Sequence, residues 1–166
     1  MPITLVDCFD IEGRGSVELT LVPVSEAPVE IRELVYATLY EALKVPHEPV
    51  ERWYEPQQEG RFLVARLKGT GQLLGTCRIM PRDTQSPEAQ QIRQVVVTKL
   101  SQGMGIGRTL MLQAEKIAAA EGCTEMFLWS RYPAYRFYEN LGYHYTSEPW
   151  ISELTKIEHR NMTKQL

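Results

Sequence analysis

The sequence predicts a mixed α/β fold in which one sheet, with both antiparallel and parallel pairing, carries helices on both faces. Two apolar runs, Arg61 to Leu67 and Leu73 to Met80, flank Lys68-Gly69-Thr70-Gly71, a β-hairpin signature that demands antiparallel pairing. Further on, Ile92 to Thr98, Gly105 to Glu121 and Thr124 to Trp129 read strand, helix, strand. That order demands a parallel pair joined by a right-handed crossover. No internal repeat, low-complexity tract or linker interrupts the 166 residues, so 1–166 is expected to be a single domain.

Each element has its own warrant. Ile3 to Val6 reads as a short strand, and Gly13-Arg14-Gly15 as the turn after it. Ser16 to Val24 alternates polar and apolar residues over its first part and is rich in β-branched residues, which favours a second strand. Pro28 opens a helix to Leu43, whose Ile31, Leu34, Val35, Thr38, Leu39, Ala42 and Leu43 keep the three-and-four spacing of an amphipathic face. Pro46 and Pro49 end it, and the polar stretch from 45 to 60 reads as a loop or short broken helix. Pro81 to Ala89 is a second loop. Ile92 to Thr98 has a fully apolar centre, the pattern of a strand buried on both faces. In the long helix, Ile106, Leu110, Met111, Ala114, Ile117 and Ala118 share one side, and Gly122 suits its C-terminal cap. Pro133 to Leu141 reads as a short helix closed by Gly142. Tyr143 to Tyr145 and about Ile151 to Met162 read as closing strands.

Composition narrows the function classes. Eighteen basic against 21 acidic residues leave a net charge of −3, without the basic balance of a nucleic-acid binder. Cys8, Cys77 and Cys123 are scattered, form no CxxC pair and so suggest neither a disulfide framework nor a thiolate metal site. They read as small buried hydrophobes in a reducing compartment. The N-terminal residues lack a basic region followed by an apolar one, and no apolar run approaches the roughly 20 residues of a membrane span. The expectation is a soluble, cytoplasmic protein with no nucleic-acid, membrane or metal partner.

The sharpest feature is Gln102-Gly103-Met104-Gly105-Ile106-Gly107-Arg108, between a β-branched strand and a long helix. Alternating glycines let the backbone turn tightly and approach a ligand closely. The first N–H groups of the helix have no internal partner, and with the helix dipole they favour a phosphate. No Gly-Lys-Ser/Thr follows, so this is not the nucleotide P-loop. The dinucleotide pattern GxGxxG fails because Leu110 or Arg108 stands at its third glycine. What remains is Q-x-x-G-x-G.

That pattern resembles the pyrophosphate loop of the GNAT superfamily of N-acetyltransferases. The resemblance continues from Val97 to Leu110, which follows V-x-P-x-x-R/Q-G-x-G-I-G-x-x-L with Lys99 in place of the frequent proline. Ala134 to Tyr143 is similar to A-x-x-F-Y-E-K-L-G-F, and Ile157 to Met162 to the ending I-x-H-x-x-M of one subgroup. The match covers roughly residues 61 to 162, with the helix at 28–43 in its expected place.

The resemblance implies a mostly antiparallel sheet whose central parallel pair splays apart, and acetyl-CoA as cosubstrate. Backbone groups of Val95, Val96 and Val97 would bind its pantetheine arm, with an N–H near Val97 polarising the acyl carbonyl. Gln102, Gly103, Met104, Gly105, Ile106, Gly107 and Arg108 would hold the pyrophosphate. Tyr138 matches the general-acid tyrosine; a phenol with a pKa of about 10 is protonated at neutral pH and can donate to a departing thiolate. Ser130 and Arg131 stand where relatives place a further cofactor contact.

The general base is open. Gln91 to Gln94 has no carboxylate where many relatives carry a Glu, which leaves Glu41, His144, Glu153 and His159, with His best matched in pKa, or a water relay to a more distant group. A route through Cys77 or Cys123 would need an activated thiolate, so direct transfer is expected. The acceptor would be a small-molecule or protein amine, with a homodimer among the expected assemblies. Trp53, Tyr54, Glu55, His144, Tyr145 and Trp150 are candidates to contact the acceptor. A non-catalytic CoA-binding module is the alternative: the missing carboxylate favours it, and Tyr138 favours the enzyme.

Overall fold

The structure, a computed structural model, describes residues 4–11, 13–54 (Trp53 in its backbone only) and 59–166. The chain opens with β1 (Thr4–Ile11) and β2 (Gly15–Pro23), then α1 (Val29–Leu39) and α2 (His47–Glu51). The predicted hairpin forms as β3 (Arg61–Leu67) and β4 (Leu73–Ile79), followed by β5 (Ala89–Val97), α3 (Ile106–Ala120) and β6 (Glu125–Arg131). Then come α4 (Tyr135–Asn140), β7 (His144–Tyr145), β8 (Trp150–Ile151) and β9 (Glu158–Gln165). Among the described residues these make one nine-stranded sheet, ordered β1-β2-β3-β4-β5-β6-β9-β7, with β8 on β9. The β5–β6 pair is parallel and the others are antiparallel.

Several boundaries differ from expectation. The first strand runs on to Ile11, because Asp7 to Ile11 find partners in β2; Ile3 lies outside the described residues. The helix predicted to Leu43 ends at Leu39, and the chain turns through Lys44, whose φ is +56°. The stretch read as a loop contains α2 and a 3-10 turn, Arg52–Tyr54. The predicted strand from Ile151 to Met162 is broken: β8 takes two residues, residues 152–157 turn, and β9 inserts between β6 and β7.

Two cores flank the sheet. On one face, Leu63, Cys77, Ile79 and Ile92 pack under Ile106, Leu110, Met111 and Ala114 of α3, with Tyr138 and Leu141 of α4. On the other, Phe62, Val64 and Val96 pack under Ile31 and Val35 of α1 and Val50 of α2. Central strands β3 and β4 are therefore buried almost throughout. Glu115 of α3 takes an ion pair from Lys164, which ties β9 to that helix.

Gly75 sets how closely α3 can lie on β4. A Cβ there would stand 2.8 Å from the Val96 carbonyl oxygen and 3.1 Å from Ile106 Cγ2. Overpacking of this kind costs typically 1–3 kcal/mol. Gly75→Ala is therefore expected to lower the urea midpoint by that free energy divided by the slope m, with m unchanged. An unaltered midpoint would mean that the helix shifts freely on the strand.

Candidate active site

The site begins with a mismatch between β4 and β5. Thr76 pairs with Val96 and Arg78 with Arg93, so Gln94 and Val95 together oppose Cys77 in a β-bulge. Gln94 adopts φ +52°, a left-handed conformation costing a non-glycine residue about 1–2 kcal/mol. Its amide is held from the far side, where Nε2 donates to the Tyr40 hydroxyl over 3.3 Å. Such bends re-aim a strand, and here β5 leaves its parallel neighbour.

Pairing between β5 and β6 covers only Ala89↔Glu125, Gln90↔Met126 and Gln91↔Phe127. From Ile92 to Val97 the β6 side of β5 has no strand partner among the described residues. Which backbone groups face that opening follows from antiparallel alternation. Thr98 N–H donates to the Leu74 carbonyl over 2.8 Å, so Thr98 opposite Leu74 is a hydrogen-bonded pair and Val97 opposite Gly75 is not. The N–H and C=O of Val97 therefore point into the splay. Those of Val96, one step back, point toward Thr76, and its side chain is buried under α1. This opening also changes the burial of β5. The strand expected to be buried on both faces alternates instead, with Val95 and Val97 only half-buried.

The glycine loop follows directly. Gln102 and Gly103 are exposed, Met104 is half-buried, and Gly103 and Gly105 take φ of +82° and +75° with open space where a Cβ would be. Gly105 is the N-terminal cap of α3, with no side-chain cap bond and no acidic residue in the first turn. The first intrahelical bond runs from Thr109 N–H to the Gly105 carbonyl, so the N–H groups of Ile106, Gly107 and Arg108 point out of the helix end. Ile106 itself is buried and Arg108 exposed. Gly107 acts through its lack of a side chain, since a Cβ there would meet Phe137 Cζ at 3.3 Å and Val97 Cγ2 at 3.5 Å. Its bare surface lets α4 sit against the start of α3 and brings Tyr138 to the splay.

Tyr138 is 8% exposed and lines a small cavity of about 110 Å³ with Gln94, Val95, Ser130 and Arg131. Burial drives its phenol well above the ordinary 10; Cys77 nearby adds to the rise and Arg131 opposes it. The hydroxyl is thus fully protonated at neutral pH. A second cavity of about 250 Å³ adjoins it, sharing Leu39, Gln94, Trp129 and Arg131. Its other walls include Tyr40, Arg93, Trp150, Thr155 and His159. Arg93 lies over the Trp129 ring, 4.7 Å from its centre. Arg131 donates to the Leu39 carbonyl over 2.7 Å and lies over Tyr40, so it binds neither solvent alone nor the loop but closes the C-terminal end of α1 onto β6.

Of the four base candidates, the structure brings His159 into this cleft. Its ring stacks on Trp150 at 4.8 Å between centres. Nδ1 lies 3.0 Å from the Ile157 carbonyl oxygen, which can only accept, so Nδ1 carries the proton and Nε2 the lone pair. Burial lowers its pKa; the Ile157 carbonyl opposes this, while Arg131 and Arg93 favour the neutral ring. Glu41, His144 and Glu153 are exposed and line neither cavity.

The acceptor-contact candidates also separate. Trp150 lines the cleft, but Tyr54 packs on Phe62 beneath Arg32, and Tyr145 lies under Arg160. Glu55 and the Trp53 side chain lie outside the described residues. Sequence reasoning passed over Tyr40, Arg93 and Thr155 as cleft residues, since nothing local marks them. Cys77 is fully buried, with its thiol pushed up to about 12, and Cys123 is buried; Cys8, expected inside, is exposed on β1. No helix among the described residues is long and apolar enough to cross a membrane.

A bulged strand splayed from its parallel neighbour, a glycine loop and a tyrosine helix closing on the gap define an acetyltransferase of the GNAT type. The sequence matches the acetyltransferase (GNAT) family over residues 29–143, and the chain belongs to that family. Solved structures share its fold. A Lactobacillus plantarum protein assigned as an N-acetyltransferase is 24% identical, with TM-score 0.74, over 90% of this chain and 98% of the other. An acyl-CoA N-acyltransferase from Pseudomonas aeruginosa is 19% identical, with TM-score 0.70, over 89% and 99%. A GNAT acetyltransferase from Elizabethkingia anophelis with acetyl-CoA bound is 16% identical, with TM-score 0.65, over 89% and 98%.

Proposed function

We propose that the protein transfers an acetyl group from acetyl-CoA to a primary amine by direct attack in a ternary complex. The observation that carries this reading is the open side of β5, with Tyr138 at its wall and the glycine loop at its end. The donor fits what the residues offer: the unsatisfied N–H groups of α3 suit the pyrophosphate, and the inward-facing Val97 backbone suits an amide-bearing arm. Bound acetyl-CoA in the Elizabethkingia relative supports the same donor.

Acetyl-CoA supplies an activated acyl carbon and a thiolate leaving group. The Val97 N–H is positioned to polarise the carbonyl. As the amine forms its bond to carbon and the carbon–sulfur bond breaks, His159 Nε2 takes the proton leaving nitrogen and the Tyr138 hydroxyl gives its proton to sulfur. Both residues then return to their starting states by exchange with solvent. Burial of Cys77, which disfavours its thiolate, supports direct transfer over an acyl-cysteine route.

The first test is thermal. CoA at 100 times its Kd is expected to add about 2.7 kcal/mol of stability. For a chain of this size that is a rise of about 5–10 °C in Tm. No shift would remove the cofactor reading. Thiol release from acetyl-CoA across an amine panel then separates an enzyme from a CoA-binding module, which would bind without turnover.

The pH profile tests His159. The neutral ring is the working form, and burial with the two guanidiniums favours it. The acid limb of kcat/KM for acetyl-CoA is therefore expected to be centred below 6.5, with activity lost as pH falls through it. His159→Gln is expected to abolish that limb and lower kcat about 10²-fold. An unmoved limb would exclude His159 as the base.

A further inference from the structure

Building on the acetyltransferase reading, we propose that the acceptor is a small amine bearing a carboxylate, of the amino-acid type, rather than a polycationic amine. The 250 Å³ cavity is lined by two guanidiniums, Arg93 and Arg131, and no Asp or Glu stands among the described residues that line it. Arg131 is anchored on the Leu39 carbonyl and Arg93 is stacked on Trp129, so both charges are held in place before an acceptor arrives. A guanidinium has five donors in a planar fork and pairs with a carboxylate through short, charge-assisted bonds. A second ammonium in the same space would meet two like charges instead.

Gln94 and Thr155 add polar side chains to the wall of the same cavity, at 9% and 7% exposure. Trp129 and Trp150, edge to face at 6.1 Å, supply an apolar wall for the acceptor's carbon skeleton. A groove richer in carboxylates, where Glu33, Glu41 and Glu51 stand with Arg32, lies on and after α1 and on α2, and it shares no lining residue with this cleft.

The experiment compares free amino acids, each against its own methyl ester, in thiol release from acetyl-CoA. The best acid is expected to exceed its ester at least tenfold in kcat/KM, although esterification makes the amine less basic and favours the ester chemically. In Arg93→Gln and Arg131→Gln the acid-to-ester ratio is expected to fall toward one. That ratio is read within each variant, so a reduced folded fraction does not alter it. Esters or simple alkylamines turned over as well as the acids would overturn the proposal and leave the acetyltransferase reading standing. If no amine is acetylated, calorimetry on the CoA-saturated protein decides. Acid-selective binding lost in Arg93→Gln would uphold carboxylate recognition without transfer, and binding that does not distinguish acid from ester would overturn it.

Discussion

Tyr138→Phe is expected to lower kcat by about 10²–10⁴-fold, the range typical of a lost general acid, while KM for acetyl-CoA changes little. The substitution removes one oxygen from a residue that is 8% exposed and keeps the ring that packs against Phe137 and Tyr143, so the fold is retained. Burial holds the phenol protonated far above neutral pH, which makes it a donor at every working pH and never a base. The split between kcat and KM is the diagnostic, because a group acting only on the departing sulfur contributes to the transition state and not to donor binding. Unchanged kcat would remove Tyr138 from the chemistry and leave it as a packing residue.

Gly105→Asp is expected to weaken CoA binding by on the order of 10²–10³-fold at low ionic strength. Two unit charges about 4 Å apart in a surface-like effective dielectric repel by about 4 kcal/mol, and each 1.4 kcal/mol is a factor of ten in Kd. Gly105 caps α3 at φ +75° with nothing within 4 Å of a Cβ, so the substitution is not crowded at Cβ and adds a negative charge at the helix end proposed to hold the pyrophosphate. Asp is among the residues that tolerate the left-handed conformation, so the effect falls on the ligand more than on the fold. Added salt is expected to recover part of the affinity by screening. Calorimetric titration at two salt concentrations checks both statements. Full affinity in the variant would place the pyrophosphate elsewhere.

Much of the fold is written in short-range pattern. The Lys68-Gly69-Thr70-Gly71 turn produces the β3–β4 hairpin, the spacing of Ile106, Leu110, Met111 and Ala114 produces the buried face of α3, and the glycines at 103 and 105 take the left-handed conformations that their position demands. The resemblance of 134–143 to the family's tyrosine helix led to Tyr138, and α4 delivers it to the splay. Other features have no short-range signature. Nothing near Gln94 announces a bulge, because its φ of +52° is imposed by pairing with β4 and supported by Tyr40 just after α1. His159 was one of four candidates, with Glu41, His144 and Glu153, until β9 inserted beside β6 and carried it into the cleft.

The sequence by itself determined most of the strands and helices and the left-handed glycines after β5, while Tyr138 came from the resemblance of 134–143 to the family. The elements depend on residues one to four positions apart, where steric preference and periodicity act directly. Only the tertiary structure decided that β5 and β6 part after Gln91 and Phe127, and that Arg93, Arg131, Thr155 and His159 line the space they leave. Those residues come from strands and turns far apart in the chain, and their meeting is set by register and by packing of α1, α3 and α4 on the sheet. The cationic cleft follows from that packing, inside a chain whose net charge is −3.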